Sequence, residues 1–242
     1  MSPRTFVIGT RGSRLALRQA DIALDALSAA HPAARFELRT IKTEGDRTSA
    51  SLSTLGGRGV FVIEIERALL AGEIDIAVHS LKDLPTAPVD GLTIGAIPVR
   101  EDPRDVLIAR DGLSLGELQT GALVGTGSPR RVAQLEALGL GLEMTEIRGN
   151  VDTRLRKVLA GDLDAVVLAA AGLRRLGVAS APAVPIPWDV CLPAVGQGAL
   201  AVEGREEAGW AAQALERLHH RESGLRVEAE RAFLARLGGG CL

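Results

Sequence analysis

Apolar positions follow two periods along this chain. Phe6–Ile8 is a short continuous apolar run and predicts a buried strand. Leu15, Ala16, Ile22, Ala23 and Ala26 then recur at helical spacing over Arg14–Ala29. Phe36–Ile41 predicts a second strand. Thr43–Gly59, rich in serine, threonine and glycine, predicts a long polar loop of the kind that serves as a lid or a disordered segment. Helical spacing returns over Val60–Ala71, followed by a strand at Ile74–Val78. Further strands are predicted at Leu107–Ala109, Leu123–Val124, Glu143–Ile147, Ala165–Leu168 and Leu200–Val202. Helices are predicted at Arg131–Leu138, Asp152–Ala160 and Glu206–Leu218, with another from His220 onward. Alternating strands and helices imply an α/β protein with open, mostly parallel sheets.

Two segments of the chain resemble two others. Leu70-Ala-Gly-Glu-Ile-Asp75 is matched by Leu159-Ala-Gly-Asp-Leu-Asp164, and Val7-Ile-Gly-Thr-Arg11-Gly-Ser13-Arg14 by Leu123-Val-Gly-Thr-Gly-Ser128-Pro-Arg130. This predicts two similar α/β lobes; the alternative is chance likeness between strand–turn–helix units. Proline-rich crossings at Pro98–Pro103 and Pro193–Gly198 would be hinges between lobes. Residues 1–98 and 199–218 would then form the first lobe and residues 99–198 the second.

Composition narrows the class. The 242 residues are 46% hydrophobic and 24% charged, which excludes a disordered chain. A net charge of −2 gives no global basic field, and 2% aromatics with no tyrosine argue against a stacking platform for nucleic acid. Cys191 and Cys241 cannot make a disulfide framework, and no His/Cys pair has metal-ligand spacing. No signal-peptide core and no apolar run long enough to span a bilayer is present, so a reducing cytoplasm is the expected compartment.

The candidate chemistry sits at strand-to-helix turns. Arg11 and Ser13 lie at one, and Ser128, Arg130 and Arg131 at another. Helix N-termini favour anions, and arginine forks match carboxylates. The alternative for either turn alone is an ordinary N-cap with solvated arginines. Arg148 and Arg154 flank a third turn, and Arg174-Arg175 follows Gly172-Leu173. His79-Ser80-Leu81-Lys82-Asp83 follows a strand. There Lys82 and Asp83 suit binding and proton exchange with an acidic substrate, whereas a Ser80/His79/Asp83 nucleophilic reading lacks an elbow motif. Cys241, in a glycine-rich turn, is either a plain free thiol or an attachment point.

With these segments in place, the chain resembles the hydroxymethylbilane synthase (porphobilinogen deaminase) family over nearly its whole length. The matching segments include Lys42-Thr-Glu-Gly-Asp46, Gly57-Arg58-Gly59, Ala77-Val-His-Ser-Leu-Lys-Asp83-Leu-Pro85, Arg148-Gly-Asn-Val-Asp-Thr-Arg154, Ala171-Gly-Leu173, Pro193-Ala-Val-Gly-Gln-Gly198 and Gly239-Gly-Cys241. The resemblance implies two periplasmic-binding-protein-like lobes with open mixed sheets. It also implies the start of a third α+β domain over residues 219–242. The activity it implies is head-to-tail condensation of four porphobilinogen molecules, with loss of ammonia, on a covalent dipyrromethane. Cys241 would carry that cofactor through a thioether, and Asp83 would be the catalytic carboxylate with Lys82 beside it. Arg11, Ser13, Ser128, Arg130, Arg131, Arg148, Arg154 and Arg175 would hold acetate and propionate groups. A monomer with no nucleic-acid or membrane partner is expected.

The chain departs from the family pattern in ending one residue after Cys241, and in carrying Arg58 where lysine is frequent. A second reading of the residues is a non-catalytic two-lobed protein that binds a small polycarboxylate.

Overall fold

The computed structural model describes residues 5–43, 62–178, 182–207 and 209–239. Most of the expected polar loop, with Arg58, lies outside the described residues, as does Cys241. The chain divides into two compact units, Met1–Arg100 with Ala199–Leu242, and Glu101–Gly198.

The first unit runs β1 (Thr5–Arg11), α1 (Arg14–Ala30), β2 (Arg35–Ile41), α2 (Ile63–Leu70), β3 (Ile76–Ser80) and β4 (Leu92–Ala96). The second unit follows with β5 (Asp105–Ala109), β6 (Leu123–Gly125), α3 (Pro129–Glu136), β7 (Glu143–Thr145), α4 (Val151–Ala160), β8 (Ala165–Ala169), α5 (Ala170–Leu176) and β9 (Ala183–Pro185). The chain then returns to the first unit with β10 (Leu200–Arg205), α6 (Gly209–Glu216) and α7 (Arg221–Arg236).

The first sheet has the order β2-β1-β3-β10-β4, with β1 parallel to β2 and β3, and β10 antiparallel to β3 and β4. One face buries Ile8, Ile76, Val78 and Val202 against Ala20, Ala23 and Leu27 of α1 and Leu215 of α6. The alanine and leucine positions of α1 fall three or four apart, so a single stripe meets the sheet. The other face covers Ala77 with Ile65, Ala68 and Leu69 of α2. Val227 of α7 packs with Leu81, Leu84, Ile97 and Ala201.

The second sheet, β7-β6-β8-β5-β9, repeats this plan. Strand β6 is parallel to β7 and β8, while β5 is antiparallel to β8 and β9. Leu155 and Val158 of α4 and Leu173 of α5 cover Ile108, Val166 and Leu168. Leu135 of α3 packs with Leu107, Val124, Val167 and Cys191. In each unit the antiparallel strand is the first one formed after the chain crosses over. The sheets are therefore mixed, as the family resemblance implies, where element alternation by itself suggests mostly parallel ones.

The sequence repeat reaches hydrogen-bond detail. Asp75 N donates to Val7 O at 2.8 Å and its Oδ2 accepts from Val7 N at 2.9 Å. Asp164 N donates to Leu123 O at 3.0 Å and its Oδ2 accepts from Leu123 N at 2.8 Å. Each aspartate faces an arginine just past the antiparallel strand's core, Arg205 at 3.6 Å and Arg110 at 3.8 Å. Gly9 and Gly125 occupy matching positions. A Cβ would sit 2.3 Å from Ile74 Cδ1 at the first and 2.7 Å from Leu163 Cδ1 at the second.

The structure changes several expected elements. The strand predicted at Ile74–Val78 begins at Ile76, because Asp75 is bracketing the start of β1. Strands β4 and β9 were not predicted: both are short edges, and Pro185 in β9 is tolerated because an edge strand has a side with no ladder to donate to. Helix α5 follows β8 without a loop, so its apolar run reads as one segment with the strand. The helix predicted over Val60–Ala71 is described from Ile63.

Gly198 closes the second crossing. Its φ is +86°, and a Cβ there would lie 2.4 Å from the Glu101 carbonyl oxygen, a backbone atom. Gly198 O also accepts from Glu101 N at 3.1 Å. Gly198→Ala is therefore expected to destabilise by about 1–2 kcal/mol from backbone strain alone, and by more once Glu101 is displaced. A shifted urea midpoint with unchanged slope would measure it; a wild-type midpoint would contradict it.

Candidate active site

In the first unit, β1 ends at Arg11 and Ser13 caps α1, its Oγ accepting from Ala16 N at 3.2 Å. No acidic residue occupies the first turn of α1, so its partial positive charge is uncompensated from within the helix. The turn after β3 carries Lys82 and Asp83, both half-buried, between buried Leu81 and Leu84. Backbone bonds hold it: Leu81 N to Ala199 O at 3.0 Å, and Leu84 N to Leu81 O at 3.1 Å. Ser80 and buried Gln19 exchange hydrogen bonds at 2.9 and 3.2 Å. Arg231 of α7 donates to Pro85 O at 2.6 Å on the far side. Lys82 and Asp83 thus stand on a turn braced by α1, β10 and α7.

The nucleophilic triad is ruled out by partners. His79 Nε2 faces Glu203 Oε2 at 3.3 Å, both side chains buried, while the Ser80 hydroxyl is engaged by Gln19. Glu66 of α2 feels the same group: burial and Glu203 raise its pKa, and His79 opposes them.

In the second unit, Ser128 caps α3 through its backbone, and Pro129 opens the helix. Arg130 and Arg131 turn to Asp105, the fully buried first residue of β5, at 2.6 Å each. Asn150 caps α4, accepting from Thr153 N at 3.0 Å, and Arg154 Nε donates to Gly149 O at 2.8 Å. Arg148 Nε lies 3.5 Å from Glu146. Burial lowers the pKa of Arg154, and the charges of Arg131 and Arg148 lower it further. Arg175 Nη2 donates to Gly198 O at 2.6 Å, and burial pulls its pKa down to about 10. Arg174 instead pairs with Glu101 at 2.8 Å and Asp102 at 3.2 Å. A cavity of about 440 Å³ beside Arg174 and Val178 is lined by none of the expected site residues.

Asp105 was not anticipated from sequence, and neither was any role for Gln197, whose Nε2 donates to it at 2.8 Å. One signal was available: an aspartate opening a strand whose five residues are otherwise apolar. Burial pushes the Asp105 pKa up, but Arg131 and Arg130 outweigh it and hold the carboxyl below its ordinary range. With the folded pKa below the unfolded one, the stabilisation is complete above the unfolded value of about 3.9 and fades as pH falls through the folded value. Asp105→Asn should therefore flatten the acid limb of a melting-temperature titration below about pH 4; an unchanged limb would refute this.

A family model, porphobilinogen deaminase, dipyromethane cofactor binding domain, matches residues 6–213. The chain belongs to the porphobilinogen deaminase family. It is 51% identical to the porphobilinogen deaminase of Pelotomaculum thermopropionicum over 239 residues, 98% of this chain and 77% of that one. It is 54% identical to that of Mycobacterium bovis over 234 residues, 97% and 75% of the two chains. Among solved structures, the BenM effector-binding domain with benzoate matches with TM-score 0.51 at 17% identity, covering 98% of this chain and 95% of that one. The second substrate-binding domain of an amino acid ABC transporter from Streptococcus pneumoniae also gives 0.51, at 14% identity and 96% and 98% coverage. Both show the two-lobed binding-protein fold.

The family's cofactor, dipyrromethane, presents pyrrole N–H donors and several carboxylates. The residues described here fit it. In the second unit Arg148 and Arg154 supply donors suited to carboxylates, and in the first unit the Asp83 carboxylate can accept from N–H groups. Among the described residues no cluster of side chains could hold a metal ion, and no helix is long and apolar enough to cross a membrane.

Proposed function

We propose that this chain is a transferase that condenses four porphobilinogen molecules head to tail, releasing ammonia, to form hydroxymethylbilane for tetrapyrrole synthesis. The observation that carries the reading is the set of arginines at strand-to-helix turns of the second unit, Arg130 and Arg131 in the first turn of α3 and Arg148 and Arg154 beside the start of α4, in a chain of this family. Each pyrrole brings two carboxylates, so the site must tolerate a lengthening polyanion. Arginine suits that task because it stays cationic and binds bidentately.

Arg11, Arg148, Arg154 and Arg175 take substrate carboxylates in this reading. Arg11 also, with Ser13, Lys82, Ser128, Arg130 and Arg131, takes those of the cofactor, whose pyrrole N–H groups meet Asp83 and which Cys241 tethers. When bound, dipyrromethane supplies the nucleophilic pyrrole carbon and the anchor. Asp83 accepts hydrogen bonds from pyrrole N–H groups, assists departure of ammonia and steadies the positive charge that develops on the ring. Its braced turn means little reorganisation is needed as that charge appears. The same reading makes the protein a cytoplasmic monomer.

Incubating the purified chain with porphobilinogen tests this. Ammonia release, with an intact mass heavier than the sequence by one dipyrromethane, is expected. Saturable binding without ammonia would replace the enzyme by a polycarboxylate-binding protein.

A further inference from the structure

Asp105 is placed to act through other side chains. Its Oδ1 accepts from Arg131 Nη2 at 2.6 Å, Arg131 Nε at 3.1 Å and Gln197 Nε2 at 2.8 Å. Its Oδ2 accepts from Arg130 Nη2 at 2.6 Å, with Cys191 Sγ at 3.7 Å. A carboxylate has about four acceptor directions, and these donors occupy them. The group is fully buried, so it does not itself meet substrate. Gln197 is buried as well, and its amide also reaches Pro103 O at 2.7 Å, which anchors the clamp to backbone. Arg131 is further fixed by Nη1 donating to Val167 O at 3.0 Å, and Arg130 by Nη1 donating to Leu192 O.

A single buried anion thus grips Arg131 along its Nε–Nη2 edge and Arg130 through Nη2. Left alone they would repel each other and sample many rotamers, and a ligand would bear the cost of ordering them. We infer that Asp105, held by Gln197, is the positioning residue for the Arg130–Arg131 pair, setting the edge each guanidinium presents to an incoming carboxylate. This rests on the carboxylate-binding role proposed above for the two arginines. It also gives Gln197, in the Val-Gly-Gln-Gly segment, a task.

The test uses the full chain as wild type, Asp105→Asn, Arg130→Gln and the double variant. Each is read by intact mass, thermal midpoint and porphobilinogen kinetics. Asp105→Asn is expected to lower the cofactor-loaded fraction. It should also raise KM about tenfold, the weight of one charged hydrogen bond, with kcat changed less than KM. Arg130→Gln should do the same, and the double variant should be no worse than the poorer single one, because both changes remove one interaction. Multiplied effects in the double variant, or wild-type KM and loading in Asp105→Asn, would overturn the inference. Where Asp105→Asn does not fold, Gln197→Met decides: it removes the amide's bonds to Asp105 and Pro103 O, leaves the carboxylate and both arginines in place and should raise KM, and an unchanged KM overturns the inference. A wild type that binds porphobilinogen without releasing ammonia fails the proposed function, and the same series read as Kd still tests the positioning.

Discussion

Asp83→Asn is expected to lower kcat by about 10²–10⁴-fold, the range for loss of a positioned acid–base group, while the protein stays folded. The turn's own bonds explain why the two effects separate. Leu81 N to Ala199 O, Leu84 N to Leu81 O and the Ser80–Gln19 exchange all survive the change. Asparagine keeps the size of the side chain and an acceptor oxygen but cannot take a proton or balance a positive charge. Single-turnover ammonia release, with a melting curve on the same sample, measures both quantities. A near-normal rate would remove Asp83 from the chemistry, and a collapse in melting temperature would make its role structural.

Arg131→Leu is expected to destabilise by about 3–5 kcal/mol, the cost of stranding a buried charge. Asp105 has no exposure, and Arg131 supplies two of its bonds. Arg130 retains its own contact, which places the loss toward the lower end. Adding Asp105→Asn to Arg131→Leu should recover part of the stability, because the charge left without its partner is gone. Arg148→Leu is expected within about 0.5 kcal/mol of wild type, as for other surface changes, since Arg148 is about one-third exposed and its nearest carboxylate is at 3.5 Å. Urea unfolding of the four proteins checks the set. Equal losses for Arg131→Leu and Arg148→Leu would show that burial of Asp105 does not govern this region.

The contrast between these two arginines marks the limit of reading the site from sequence. Arg131 and Arg148 look alike there, each beside a strand-to-helix turn. What separates them is a carboxylate 26 positions before Arg131 in the chain, brought against it by the pairing of β5 with β8. His79 shows the same limit. Next to Ser80 and near Asp83 it invites a nucleophilic reading, but β10 sets Glu203 against its ring and α1 sets Gln19 against the serine.

Local pattern by itself determined the helices with a clear apolar stripe, the strands flanked by polar turns, and the two-fold repeat of Gly-Thr turns and Ala-Gly-acid-strand segments. These are short-range properties, carried by side-chain period, caps and glycine. The family motifs were legible for the same reason, since each lies within one turn. Side-chain period could not show that the sheets are mixed, which came from the family resemblance and from the structure, because β5 and β10 reach their partners only after the chain has crossed over. Tertiary structure alone decided the edge strands β4 and β9, whose pairing comes from neighbours and not from their own sequence. It alone gathered Asp105, Arg130, Arg131 and Gln197, because a buried charge selects its partners by proximity in space, and nothing in their spacing along the chain encodes that.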